Sequence, residues 1–287
     1  MFLSVKIHRY FLFIAIAVLL VSGFCGGAVA AVQQAGADRG IPLPIIMYHS
    51  ILRESRRQGN YTVSPDTLES DLAWLKKNGY QTVVVQDLLD YVKRQVPLPE
   101  KPVMITFDDG FYNNYYYAYP IAKKYQAKII ISPVGYYTDL YTGGDADHAN
   151  YSYLTWGEID EMMRSGLVEF QNHSYNLHST QKRYGALKLK KESASDYQSV
   201  LKQDLEKMQR EMKENTGYTP AAFVYPFGAV SKESIPVLHE IGFQASMNCM
   251  KKMNYITRDP DCLFGLGRYI RPTGISSDSF FRKIGLK

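Results

Sequence analysis

Three features are scarce or missing in this sequence. It has three cysteines in 287 residues, little net charge, and no His-Glu-x-x-His pattern. The missing helical zinc motif argues against a metallopeptidase of the usual kind. The formal charge of +5 falls to about +3 if Lys6 and Arg9 are lost with an N-terminal leader, too diffuse an excess to imply a nucleic-acid partner. Gly265-Leu266-Gly267 lacks the third glycine of a nucleotide fingerprint and follows no βαβ start. The apolar run Tyr10 to Val21 is shorter than the ~20 residues that cross a bilayer comfortably. No internal linker divides the chain, so one large domain is expected.

The N-terminus reads as an export signal. Lys6 and Arg9 precede the apolar run, and Ala28-Val29-Ala30 has the small residues of a signal-peptidase site. Residues 1–30 are assigned to this signal, with a retained anchor as the alternative; lipidation at Cys25 is disfavoured by Phe24 before it. Residues 31–41 form a linker and 42–287 the main domain. The expected location is extracellular or associated with the cell envelope. Removal of the signal leaves Cys249 and Cys262, which fit either a disulfide or two free thiols.

Beyond the linker, short apolar strands alternate with helices. "PIIMY" (44–48), "TVVV" (82–85), "VMITF" (103–107), "KIIIS" (128–132), "LVEFQ" (167–171), "AFVY" (222–225) and "FQASM" (243–247) read as strands. Ser64-Pro65 opens a helix with Leu68, Leu72 and Leu75 on one face, ending at Asn78-Gly79. The alternation predicts an α/β fold with parallel strands, closed into a distorted (β/α) barrel of about seven strands. Residues 133–153 read as a long irregular segment, a lid or substrate rim.

In such folds the site gathers at the carboxyl ends of strands. There stand His49, Asp108 and Asp109, His173, and the Tyr225-Pro226-Phe227-Gly228 turn. Two adjacent carboxylates ending a buried strand repel each other unless a cation sits between them or one keeps its proton. His173 and His178, five residues apart, supply two imidazoles. With one carboxylate they make the three-ligand set of a catalytic zinc-type site, and the second carboxylate is free to act as a base.

"TFDDG" (106–110), "HSYNLH" (173–178) and "YPFG" (225–228), in this order, resemble the first three motifs of the polysaccharide deacetylases, the NodB-homology domain of carbohydrate esterase family 4. The resemblance covers about Pro42 to Lys287. It implies a hydrolase that removes N-acetyl groups from an N-acetylglucosamine polymer by metal-activated water, with Asp108 as base and Asp109, His173 and His178 as ligands. The metal it implies is Zn2+, with Ni2+, Co2+ or Fe2+ as options. The oxyanion would meet a backbone N–H of Phe227 within Tyr225–Gly228. The partner is an N-acetylated polysaccharide, and a monomer is expected.

Two departures from the family pattern matter. The late-motif histidine that usually serves as acid is missing, and His239 lies inside a helix, so His49 is the remaining candidate, a feature shared with members acting on poly-N-acetylglucosamine. The arginine that commonly precedes the motif-three proline is replaced by Phe223-Val224-Tyr225, leaving Arg268 or Arg271, with Arg271 taken as the site residue, to reach the base. If neither compensates, the same fold would serve as a polysaccharide-binding protein; an O-acetyl esterase on a xylan-like polymer would need the same site. Among the tyrosines after "TFDDG", Tyr112 is the candidate sugar contact.

Overall fold

The run that ends on the paired aspartates is a single strand, β3 (Pro102–Asp109), buried along its whole length in the computed structural model. The structure describes residues 40–145 and 147–287, so the expected signal at 1–30 and most of the linker lie outside the described residues. Residues 42–287 form one unit. Its main elements, leaving aside four short strands and the short 3-10 and π turns, are in order β1 (Ile45–Tyr48), α1 (Pro65–Lys77), β2 (Gln81–Thr82), α2 (Val85–Arg94), β3, α3 (Tyr119–Tyr125), β4 (Ile129–Pro133), α4 (Gly135–Thr142) and α5 (Trp156–Arg164). There follow β5 (Val168–Phe170), α6 (Ala194–Thr216), β6 (Ala222–Val224), α7 (Ser234–Ile241), β7 (Ala245–Met247), β8 (Tyr269–Ile270) and α8 (Ser277–Lys283).

The strands pair in parallel in the order β8-β1-β3-β4-β5, with β2 also on β3, and β6 pairs with β7. Two single parallel bridges join these pieces: Asn172 to Phe223 ties the end of β5 to β6, and Met247 to Leu266 ties β7 to the segment leading into β8. A circuit of seven staves results. The side chains alternate accordingly. Ile45, Met104, Ile130, Val224, Met247 and Leu266 share the interior cluster. Their neighbours Ile46, Tyr48, Ile105, Phe107, Ile131 and Phe170 face the helices, as the period of two requires.

Local signals explain the helix ends. The Ser64 side chain accepts the Thr67 N–H, Pro65 fills the first helical position of α1, and Leu68, Leu72 and Leu75 bury its inner face. Thr155 and Glu158 cap α5 reciprocally. The stretch expected to be irregular, 133–153, instead contains α4, and "TVVV" is strand only at its start because Val85 already opens α2. Cys249 and Cys262 are both free thiols.

One buried ion pair fastens this frame. Asp71, on the inner face of α1, receives Arg271 Nε at 2.7 Å and Nη2 at 3.1 Å, and the Tyr48 hydroxyl at 2.7 Å. Arg271 also donates to the carbonyls of Pro272 and Ile275, so it joins α1, β1 and the C-terminal segment. Removing one partner of a buried pair strands the other charge. Arg271→Met is therefore expected to lower unfolding free energy by about 3–5 kcal/mol in urea titration; a loss well under 1 kcal/mol would show that Asp71 tolerates isolation.

Candidate active site

Asp108 is an interior residue of β3, two positions after Thr106, and it points into the top of the barrel. Arg268, fully buried, meets it in a fork: Nη1 to Oδ1 at 2.6 Å and Nη2 to Oδ2 at 2.8 Å. Burial alone would raise the Asp108 carboxyl, but the guanidinium outweighs it and holds the group below its ordinary value. On its other side stands His49, with Nε2 3.9 Å from Asp108 Oδ2, beyond hydrogen-bond reach. The backbone beside that imidazole is fixed, since Asn114 Nδ2 donates to the His49 carbonyl at 2.8 Å and Asn113 Oδ1 accepts the Ile51 N–H at 2.8 Å. The asparagines of "DDGFYNN" thus tie the first loop to the end of β3.

Asp109 reaches the same space by a different device. It sits at φ 72°, a left-handed conformation that a non-glycine residue adopts only under constraint. Gly110 follows at φ 73°, where a Cβ would lie 2.6 Å from that of Pro133, so only glycine fits. This turn lets two consecutive side chains, which a strand would send to opposite faces, serve one site.

The two histidines come from the loop after β5. The Asn172 side chain accepts the Ser174 N–H at 2.8 Å, Ser174 takes φ 73°, and its hydroxyl accepts the Leu177 N–H at 3.1 Å. This turn brings together imidazoles whose spacing matches no helical period. His173 Nδ1 donates to the Val224 carbonyl at 2.7 Å, which fixes the tautomer and leaves Nε2 3.5 Å from Asp109 Oδ1. His178 Nε2 lies 3.1 Å from the same oxygen. Burial alone would raise the Asp109 carboxyl, yet the two imidazoles bring it far below the usual carboxylate range.

Asp109, His173 and His178 form a group that can hold a metal ion, with one donor atom from each residue and all three within 4.8 Å of one another. The fit rests on chemistry and on satisfaction. Two imidazoles and a carboxylate are a borderline-soft donor set suited to zinc-like ions. Asp109 Oδ1 is buried and, although two imidazole nitrogens lie 3.1 and 3.5 Å away, makes no well-formed hydrogen bond, a costly state that a cation would relieve.

These groups open onto a cavity of about 810 Å³ whose wall includes His49, Asp108, Asp109, His173, His178 and Phe227. The family model of polysaccharide deacetylases matches residues 95–246, more than half of the chain. The chain belongs to the polysaccharide deacetylase family. The poly-β-1,6-N-acetyl-D-glucosamine N-deacetylase of Escherichia coli (strain K12) is 28% identical over 217 residues, covering 69% of this chain but only 32% of that protein. The protein of the same description from Staphylococcus epidermidis is 28% identical over 222 residues, covering 76% and 71% of the two chains. Among solved structures, a de-N-acetylase from Aggregatibacter actinomycetemcomitans superposes with a TM-score of 0.72 at 26% identity, over 85% of this chain and 99% of that one. IcaB from Ammonifex degensii does so with 0.68 at 25%, over 86% and 97%.

Several expected residues lie elsewhere in this member of the family. Arg268, not Arg271, reaches Asp108: Arg268 keeps the inward parity of Leu266, whereas Arg271 has left β8 and turned to Asp71. Tyr112 is off the cavity wall. Its N–H goes to the Ser152 carbonyl and its ring packs on Tyr115 and Tyr116, while Phe111 takes the place facing the cavity. Within Tyr225–Gly228 only Phe227 lines the cavity. The Tyr225 hydroxyl bonds Ser234 Oγ at 2.6 Å, Pro226 is buried, and Gly228 lies under Cys249. None of the described residues of 133–153 lines the cavity, although Tyr153 pairs with Phe111, which does. His239 packs on Phe264 from α7.

The sequence reading missed the aromatic wall. Tyr61 stands edge-on to His49 with ring centres 5.0 Å apart, and Tyr184 packs on Phe227, which packs on His178. Tyr61 and Tyr184 are half exposed or more and, with Tyr269, line the cavity. They come from loops and a strand end, and no periodicity marks them.

After chelation and dialysis, the intact chain is expected to rebind one divalent ion, and His178→Ala to rebind none under the same conditions. Elemental analysis of the re-equilibrated proteins checks this; full metal content in His178→Ala would remove it from the ligand set.

Proposed function

We propose that this chain is an exported, metal-dependent N-deacetylase acting on poly-N-acetylglucosamine of the β-1,6 type. The observation that carries the reading is the convergence, in one cavity, of the Asp109/His173/His178 donor set with the separately charged Asp108–Arg268 pair. The names of the E. coli and Staphylococcus relatives supply the polymer. The export signal expected at residues 1–30 agrees with an extracellular polysaccharide. Among the described residues no helix is long and apolar enough to cross a membrane.

Asp109, His173 and His178 would hold the ion, with zinc favoured by the donor set. When bound, such an ion supplies Lewis acidity to the acetyl carbonyl and to water. Asp108 takes the proton from the attacking water. Arg268 keeps that carboxylate ionised and aimed, since a bidentate fork fixes both oxygens in one plane. The proton must then reach the nitrogen, because an amide anion leaves poorly; His49, on the far side of Asp108, is placed to deliver it at Nε2. Burial lowers the affinity of His49 for its proton, while Asp108 and Asp109 raise it, and the net direction is down. The backbone of Phe227, at φ 59° in the cavity wall, would face the developing oxyanion. Tyr61 and Tyr184 offer ring faces to the flanking sugars.

Amine release from β-1,6-linked N-acetylglucosamine oligomers, compared with β-1,4-linked ones, tests the assignment. The expected result is release from the β-1,6 series that stops on chelation and returns with zinc. Asp108→Asn should keep its metal and lose at least 100-fold in turnover, within the range general-base catalysis contributes, ~10²–10⁴. Binding of both oligomer series without amine release, with metal present, would instead mark a polysaccharide-binding protein.

Tyr184→Ala should leave kcat largely intact and raise KM about two- to tenfold, as loss of one stacking contact of ~0.5–1.5 kcal/mol implies. An unchanged KM would take Tyr184 out of the sugar path.

A further inference from the structure

The loop between the two histidines is gripped from two sides. From one side, the first turn of α4 pulls on its carbonyls: the Gly135 N–H donates to Ser174 O at 3.1 Å and the Tyr136 N–H to Tyr175 O at 2.8 Å. Gly135 permits this approach, since a Cβ there would lie 2.6 Å from Met208 Sδ and 2.8 Å from the Tyr175 ring. From the other side, α6 pulls on its amides. Asp204 Oδ1 accepts the Tyr175 N–H and Oδ2 the Asn176 N–H, both at 2.8 Å.

This use of a carboxylate is expensive. Asp204 makes no ion pair within 4 Å among the described residues, although Lys207, one turn along α6, lies over the Tyr175 ring with Nζ 3.6 Å from its centre. Burial pushes the Asp204 carboxyl up to about 6, against the pull of the two N–H groups and Lys207. A partly desolvated charge is thus committed to two amides midway between His173 and His178. Neither amide belongs to a helix or strand that would otherwise hold it.

We propose that Asp204 is a positioning residue for the metal site: by clamping the Tyr175 and Asn176 amides it presets the angle between the His173 and His178 imidazoles before an ion arrives. The inference rests on the metal-site reading above and adds to it a residue that touches neither ion nor substrate. The physical need comes from the spacing. Five residues of loop have no intrinsic periodicity to align two side chains, and the His173 ring is anchored to the Val224 carbonyl of a neighbouring strand, whereas the His178 ring meets Asp109, the partner it would share an ion with, and the Phe227 ring. The orientation of His178 is set through the backbone, and the clamp is applied two residues before it. Without Asp204 the two amides turn to water, the loop samples several His178 positions, and binding an ion must first restore one of them.

A matched control exists in the same molecule. Glu169 accepts the Val85 and Gln86 amides at 2.9 and 3.0 Å and Gln171 Nε2 at 2.7 Å, and burial pushes it too up to about 6, but it holds the start of α2 and the end of β5 and makes no bond to residues 174–177. Zinc affinity of the full chain is measured by competition with a chromophoric chelator for wild type, Asp204→Ala, Asp204→Asn and Glu169→Gln, together with the melting temperature of each metal-free form. Asp204→Ala is expected to weaken zinc about 10- to 100-fold, the range seen when outer partners of metal ligands are removed. Asp204→Asn, which keeps one acceptor oxygen, should fall between it and wild type, and remains informative if the alanine variant fails to fold. Glu169→Gln should melt earlier with unchanged zinc affinity. Unchanged zinc affinity in a folded Asp204 variant that melts earlier would reduce Asp204 to a stabilising residue and overturn the proposal. A wild-type chain with no affinity for zinc, nickel, cobalt or ferrous iron would overturn the metal reading itself, and the positioning role with it.

Discussion

Two adjacent carboxylates at the end of a buried strand are the constraint around which this site is built. Asp108 and Asp109 are 2% and 8% exposed, so each needs its own compensation. Their solutions differ. Asp108 is neutralised permanently by the fork from Arg268. Asp109 is met by two imidazoles, both nearest to its Oδ1 at 3.5 and 3.1 Å, and neither makes a well-formed hydrogen bond to that oxygen. The first arrangement is complete within the protein; the second is complete only with a cation.

The barrel makes this division possible. Below the site its interior is largely apolar, with Met104, Ile130, Val224 and Met247 in one cluster, and the inward Glu169 on β5 is tied to the Val85 and Gln86 amides. Above them the same inward positions turn polar on several strands at once: Asp108 after Met104 and Thr106, His173 after Gln171, Arg268 after Leu266. Each inward step of two residues climbs one layer, and the change of character occurs at the carboxyl ends of the strands. The left-handed residues Asp109, Ser174 and Phe227 all sit at this rim. Backbone strain is concentrated where side chains must leave the alternation to reach the cavity.

How far the sequence could be read follows from the same geometry. Strand and helix positions were legible because apolar runs and caps are local. Asp108, Asp109, His173 and His178 were legible because they sit in short motifs beside strand ends. Arg268 was harder: choosing it over Arg271 required the inward parity of the last stave, which depends on where β8 pairs with β1 and where it ends. Tyr112 and Phe111 differ by one position, and a turn after Gly110 decided between them. Tyr61, Tyr184 and Asp204 were out of reach. Two are loop residues brought in by closure of the ring, and the third acts from the flank of a long polar helix that reads as ordinary surface. Residues 133–153 read as irregular from their length and glycines, whereas the chain forms α4 there and stacks Tyr137 on Tyr153.

The exchange of arginines bears on catalytic competence. Loss of the motif-three arginine would count as loss of function if nothing else could hold the base. In this chain β6 carries Phe223, Val224 and Tyr225, of which Phe223 and Tyr225 pack outward against α6 and α7. Val224 offers its carbonyl to His173 Nδ1, which serves the ligand side of the site. The guanidinium arrives instead from the stave on the opposite side of the ring's second bridge, through a residue that enters fully buried and spends both terminal nitrogens on Asp108. Charge, geometry and desolvation at the carboxylate are what a base requires, and the strand that supplies the arginine is immaterial to them. The missing residue by itself therefore does not argue for an inactive scaffold, and in the proposed mechanism proton delivery falls to His49, held by Asn114 and 3.9 Å from Asp108.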